Sequence, residues 1–271
     1  MQTRTCRRED LAGARELWMS RFDDGTEGFR DFLFTKTPPE NIFVGLEGDT
    51  VMAEITAAAA LEYKGKKGAY LYSACTRKGE EGKGYMHRLA EYAVRELEGR
   101  GYSFFAVVPS DESLFAFWRE LGFDNATYLR RAVIDIPKNI WQAAEFDITT
   151  AGRFRRMREK FADGEIVNYS RNDYSRYAEY LYTFGGSTAE SKDAFAVYYE
   201  EGETLEVKEL SARDTAYAVK LLQAIRERTG KQTAEIWLPA DSSMFLGEGR
   251  KVRYAAVRGL SGDIYINLMF E

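Results

Sequence analysis

No other stretch of this sequence constrains the fold as closely as Tyr70 to Phe123. Tyr70-Leu71-Tyr72-Ser73-Ala74-Cys75-Thr76 reads as a strand, and Arg77 to Gly84 as a turn punctuated by Gly79, Gly82 and Gly84. An amphipathic helix follows, with Met86, Leu89, Ala90, Ala93, Val94 and Leu97 at spacings of three and four, and Gly99 to Gly101 ends it. A second apolar strand, Phe104 to Val108, runs into Pro109-Ser110-Asp111 and a helix that stops at Leu121-Gly122-Phe123. Glycines between a strand and a helix let the backbone approach an anion closely, and the first free amides of the helix then point at it with the helix dipole behind them. That is the physical recipe for a phosphate or pyrophosphate cradle. A plain turn before a helix satisfies the same spacing.

The loop, its helix, the strand ending at Pro109 and the closing Leu-Gly-Phe together resemble the GNAT superfamily of acyl-CoA-dependent N-acyltransferases. In that family an Arg/Gln-x-x-Gly-x-Gly/Ala loop binds the CoA pyrophosphate, and the preceding strand pairs with the pantetheine. The pattern falls here on Glu81-Gly82-Lys83-Gly84-Tyr85-Met86, and the later Pro-x-Asn, Tyr and Gly-Phe positions on Pro109, Asp111, Trp118 and Gly122-Phe123. The likeness covers roughly residues 1 to 136. It implies an α/β (α+β) GNAT fold, in which helices flank a mixed, mostly antiparallel central sheet. It also implies acetyl-CoA held by Ala74, Cys75, Thr76, Glu81, Gly82, Lys83, Gly84, Tyr85, Met86, Asp111 and Phe117. Two residues depart from the pattern. Glu81 stands where the family usually has Arg or Gln, and Trp118 where many members carry the Tyr that protonates the leaving thiolate.

The rest of the chain supplies boundaries. Thr3 to Arg7 predicts a first strand, and Asp10 a cap for a helix with Leu11, Ala14, Leu17 and Trp18 on one face. Asp23-Asp24-Gly25 reads as a turn. By resemblance the segment from Phe22 to Pro39 covers the acceptor pocket, which Phe29, Phe32, Phe34 and its carboxylates would line; packing aromatics and solvated acids read the same way. Ile42 to Leu46 and Val51 to Leu61 predict strands joined at Glu47-Gly48-Asp49-Thr50, with a second hairpin tip at Lys64 to Gly68. Those lysines suit a solvated loop or a cradle for the CoA 3'-phosphate. Tyr128 to Ile136 is the final strand, and Pro137 closes a first domain of residues 1–137.

Residues 138–271 echo the first half. Leu46-Glu47-Gly48-Asp49-Thr50-Val51 is answered by Glu200-Glu201-Gly202-Glu203-Thr204-Leu205, and Pro109-Ser110-Asp111 by Pro239-Ala240-Asp241. The strand from Leu205 to Leu210 enters its helix without a glycine. This half resembles a degenerate GNAT-like domain without a cofactor loop, as in tandem members such as the enhanced-intracellular-survival group of aminoglycoside acetyltransferases; an unrelated α+β domain is the alternative.

Charge and cysteine content narrow the partners. The chain carries 38 basic and 43 acidic side chains, a formal charge of -5, and neither half is basic, so nucleic acid is not indicated. No run approaches a membrane span, and the amino terminus has no secretory pattern. Cys6 and Cys75 lack a metal-ligand spacing, and a reducing, cytoplasmic setting fits them. A single histidine, His87, excludes a His-based metal site and argues against a Ser-His-Asp triad. Self-association stays open.

Acyl transfer from a thioester to an amine needs a deprotonated amine, a polarised carbonyl and a proton for the thiolate. Alternation places Tyr70, Tyr72 and Ala74 on one face of their strand and Leu71, Ser73 and Cys75 on the other. Tyr72 can then present a phenol in place of the Tyr missing at Trp118, or bury it against a neighbouring strand. Glu54, flanked by Ala53 and Ile55, either lies on a solvent face or carries a raised pKa and acts as a base. Cys75 reads as a small buried hydrophobe. The leading expectation is an N-acetyltransferase acting by direct attack on a primary amine of a small molecule or peptide. The alternative is a non-catalytic acyl-CoA-binding or interaction protein.

Overall fold

The computed structural model describes residues 1–22, 27–139, 145–161 and 165–270. The chain forms two units, Met1–Ala126 with Ala255–Ser261, and Thr127–Tyr254 with Gly262–Glu271. The expected division at Pro137 differs from this at both ends. Most of the strand expected to close the first domain belongs to the second unit, and a late segment returns to the first.

In the first unit β1 (Gln2–Thr5), α1 (Leu11–Arg21) and α2 (Glu27–Lys36) precede β2 (Ile42–Glu47), β3 (Thr50–Tyr63) and β4 (Lys66–Thr76). Then come α3 (Tyr85–Gly99), β5 (Phe104–Val107) and α4 (Leu114–Glu120). Strands β1 to β4 are antiparallel neighbours, β4 and β5 are parallel with α3 as the crossover, and Ala256–Arg258 pairs antiparallel on β5. The alanine run of β3, Ala57 to Ala60, favours helix by intrinsic propensity, yet it is strand. Tertiary packing overrides the propensity, because β3 is covered on both faces. On one face Leu89, Ala90, Ala93, Val94 and Leu97 of α3 pack with Phe43, Ala53, Ile55 and Leu71; on the other Ala14 and Leu17 of α1 pack with Val44, Val51 and Cys75. Each fully buried leucine contributes about 2 kcal/mol. Gly68 is required where β4 meets β5, since a Cβ there would lie 2.3 Å from the Phe104 ring. Asp10 does not cap α1 through its side chain. Its carboxylate is held instead by the Arg4 guanidinium and by the Arg7 amide at 2.8 Å.

The second unit holds most of β6 (Asn125–Asp135), then α5 (Ala151–Lys160), β7 (Glu165–Ile166), β8 (Asn168–Tyr169) and α6 (Arg171–Thr183). It continues with β9 (Gly186–Glu190), β10 (Ala194–Glu201), β11 (Thr204–Ala212), α7 (Thr215–Thr229), β12 (Thr233–Pro239), β13 (Arg250–Arg258, whose end pairs β5) and β14 (Ile264–Tyr265). Its main sheet runs β6-β12-β11-β10-β9, with β11 and β12 parallel and joined by α7. The succession β9-β10-β11-α7-β12 thus repeats β2-β3-β4-α3-β5 in order and direction. Tyr174, Tyr177 and Tyr180 of α6 are buried, against Phe154, Tyr169 and Phe270.

Candidate active site

The site grows from a break in β4. Glu54 pairs with Cys75 and Thr56 with Tyr72, so Ser73 and Ala74 together face the single residue Ile55. This is a β-bulge, and Ser73 makes it with a left-handed φ of 53°. The bulge overturns the expected alternation. Ala74 packs toward α3, Cys75 toward α1, and the Tyr72 ring meets Trp18 of α1 at 5.6 Å. Tyr72 and Ala74 therefore do not share a face. Parallel pairing of β4 with β5 ends at Leu71 and Val107, leaving Tyr72 to Thr76 beyond the last paired residue of β5. That stretch of β4 makes no ladder with β5.

Below this edge lies Glu54, fully buried. Thr56 Oγ1 and Ser73 Oγ donate to its Oε1 at 2.6 and 3.0 Å, and Cys75 Sγ donates to Oε2 at 3.7 Å. Burial raises its pKa to about 8, against the lowering effect of those donors. Of the two expectations for Glu54, the enclosed acid is the one found. Burial, together with the Glu54 charge, also pushes the Cys75 thiol well up, so it is no ready nucleophile.

The glycine loop continues from the same strand end. Gly79, Gly82 and Gly84 take φ values of 83°, 77° and 74°, a region other residues rarely adopt. A Cβ at Gly79 or Gly82 would meet nothing within 4 Å, so the loop surface is open there. Gly84 is the N-cap of α3 and supplies no side-chain cap to the first-turn amides. At the matching junction of the second unit, Asp214 accepts from the amides of Ala216 and Tyr217 at 2.9 and 3.2 Å. There the helix terminus is already capped by a carboxylate.

Other predicted residues take different places. The Tyr85 ring is buried and its hydroxyl donates to Glu47 at 2.6 Å, which raises its pKa to about 12. Lys83 pairs with Glu80 at 2.8 Å, and Met86 packs partly into the α3 core. Asp111 is exposed and accepts from the Ser113 amide at 2.6 Å. Phe117 is half-buried, 5.3 Å edge-on to Trp118, which is itself buried in the core. Thr76 ends β4 opposite Ala53. Phe34 contacts Trp18 at 5.1 Å, whereas Asp23-Asp24-Gly25 and the side chain of Phe29 lie outside the described residues. Glu81 pairs neither with Arg77, Lys78 nor Lys83. One carboxylate oxygen accepts from the Gly79 amide at 2.7 Å and the other meets Arg21 at 2.8 Å. Arg21 and Ser73 carry no motif. Thr56, two residues along the strand from Glu54, was legible from period-two alternation.

Among the described residues no helix is long and apolar enough to cross a membrane, and no group of three His, Cys, Asp or Glu is placed to hold a metal. Residues 11–123 match the model of the acetyltransferase (GNAT) family. Among solved structures, a GCN5-related N-acetyltransferase from Kribbella flavida superposes with a TM-score of 0.72 at 14% identity, over 94% of this chain and 70% of that one. The GCN5-related N-acetyltransferase from Anabaena variabilis gives 0.70 at 11% identity, over 95% and 72%. Eis1 from Mycobacterium abscessus gives 0.68 at 12%, over 95% and 73%. At these identities the likeness is one of fold. No curated protein sequence matches the chain. The glycine loop, the bulged strand before it and the family match coincide, and residues 11–123 are a GNAT acetyltransferase domain.

Proposed function

We propose that the chain is an N-acetyltransferase that moves an acetyl group from acetyl-CoA to a primary amine of a small molecule or peptide. The observation that carries this reading is the loop at Gly79 to Gly84, without a side-chain cap, beside the stretch of β4 that runs on past its last pair with β5. Backbone amides at a helix start with no side-chain cap suit a pyrophosphate, and glycine at each left-handed position keeps side chains away from it. The β4 edge from Tyr72 to Thr76 suits the extended, amide-bearing pantetheine arm. Acetyl-CoA, when bound, supplies a thioester carbonyl activated toward attack by an amine.

The chain's own residues orient and move protons. Tyr72, half-buried at the bulge, presents its phenol at the reaction end and donates a proton toward the leaving sulfur. Glu54 is enclosed and acts through the hydroxyls that donate to it, Thr56 and Ser73, taking up the proton that the amine releases. With a pKa of about 8 it accepts protons in a range where many amines are still protonated. The second unit repeats the strand order but caps its helix with Asp214, so cofactor binding belongs to the first unit alone.

The test is thiol release from acetyl-CoA over a panel of amines, with wild type, Tyr72→Phe and Glu54→Gln. Tyr72→Phe should lower kcat with little change in KM, and Glu54→Gln should abolish a rise of kcat/KM with pH centred near 8. Binding of acetyl-CoA without release to any amine would favour the non-catalytic alternative.

A further inference from the structure

The loop has a charge problem that its own sequence does not solve. Glu81 places a carboxylate at the head of a surface read here as a pyrophosphate cradle. At 4 to 6 Å such a like-charge pair costs on the order of a few kcal/mol at an effective dielectric near 20. The loop's cations are mostly committed. Lys83 is paired with Glu80 at 2.8 Å, Arg77 Nε donates to the Val51 carbonyl at 3.1 Å, and Arg88 lies over the Tyr85 ring at 5.5 Å. Lys78 is exposed.

Arg21 is different. It is the last residue of α1, 60 positions before Glu81 in sequence, yet its Nη1 meets Glu81 Oε1 at 2.8 Å. The other Glu81 oxygen is tied to the Gly79 amide, so the carboxylate is fixed on both sides and the guanidinium is fixed with it. The Arg21 charge is also felt at Cys75, where it opposes the burial that raises the thiol. Arg21 thus stands beside both the end of β4 and the glycine loop. One of its five N–H donors serves Glu81, and the guanidinium remains about a third exposed.

We propose that Arg21 is a cofactor-phosphate ligand, supplied by α1 in place of the cation that the loop lacks at Glu81. It cancels the Glu81 charge and offers its remaining donors to the phosphates, for which a planar guanidinium is well suited. This rests on the acetyl-CoA reading of the loop, and it names the residue that makes that loop tolerate an acid.

Calorimetry with CoA on wild type, Arg21→Gln, Arg21→Lys, Glu81→Gln and the double variant Arg21→Gln/Glu81→Gln tests it. Arg21→Gln should lose at least tenfold in affinity, about 1.4 kcal/mol, and the loss should shrink at high salt. Arg21→Lys should recover part of it. Glu81→Gln should bind as tightly as wild type or more tightly, since the cation stays while an anion goes, and the double variant should bind better than Arg21→Gln alone. With S-acetylpantetheine as donor, which has no phosphate, Arg21→Gln should match wild type in kcat/KM. Wild-type affinity for CoA in a folded Arg21→Gln, or an equal loss with S-acetylpantetheine, overturns the role of Arg21 while leaving the loop's function standing. Failure of the wild-type chain to bind CoA at all would overturn both.

Discussion

The Ser73 hydroxyl donates to Glu54 Oε1 at 3.0 Å from a backbone held at φ 53°. One local distortion therefore does two things. It stops β4 from following β5, which opens the strand edge, and it turns a hydroxyl onto a fully buried acid. A β-branched residue tolerates this left-handed conformation poorly. Ser73→Val should cost about 1–3 kcal/mol, read as a lower urea midpoint at an unchanged m-value, whereas Ser73→Gly should relieve the strain and lose only the hydrogen bond.

The buried acid also makes stability depend on pH. The Glu54 pKa is raised from 4.5 unfolded to about 8 folded. Below the lower value both states hold the proton and folding is unopposed by this group. Between the two the unfolded chain ionises first, so stability falls as pH rises, and the loss is complete above about 8. The span corresponds to a few kcal/mol at about 1.4 kcal/mol per unit. Thermal unfolding of Glu54→Gln from pH 5 to 9 should show this slope removed. A slope identical to wild type would mean the carboxyl is ionised in the folded state.

In the second unit Arg158 and Glu209 form a bidentate pair, 2.7 and 2.9 Å, with both side chains fully enclosed and with Tyr174 and Tyr265 hydroxyls on either side. Removing one partner leaves a charge without solvent or counter-ion. Glu209→Leu should cost about 3–5 kcal/mol, and Arg158→Met with Glu209→Leu less than that single change. Urea denaturation of the two variants checks the order.

Much of the first unit was legible because its signals are local. Glycines at left-handed turns, the three-four stripe of α3 and the apolar strands are short-range patterns, and each element lies close to where they put it. The chemistry at β4 was less so. Strict alternation assigns Tyr72 and Ala74 one face, but a bulge inserts a residue and no residue type announces it; serine is an uncommon choice for φ above zero. Glu54 was ambiguous for a related reason, since an acid between Ala53 and Ile55 is either outermost or enclosed, and only the covering helix α1 decides. Arg21 was invisible because its partner lies far away in sequence. The boundary at Pro137 missed the return of Ala256–Arg258 to β5, a long-range pairing with no local mark. A fragment ending there would leave β5 without that neighbour, so it should be less soluble than the whole chain.

The most direct test of the central claim is calorimetric titration of CoA into wild type, Gly82→Asp and Gly84→Asp. Both glycines sit at left-handed φ, 77° and 74°, and an aspartate at either adds a side chain and a negative charge at the cradle. The expected result is one site per chain in the wild type and at least a tenfold loss, about 1.4 kcal/mol, in each variant, with circular dichroism unchanged. Undiminished affinity in both folded variants would contradict it.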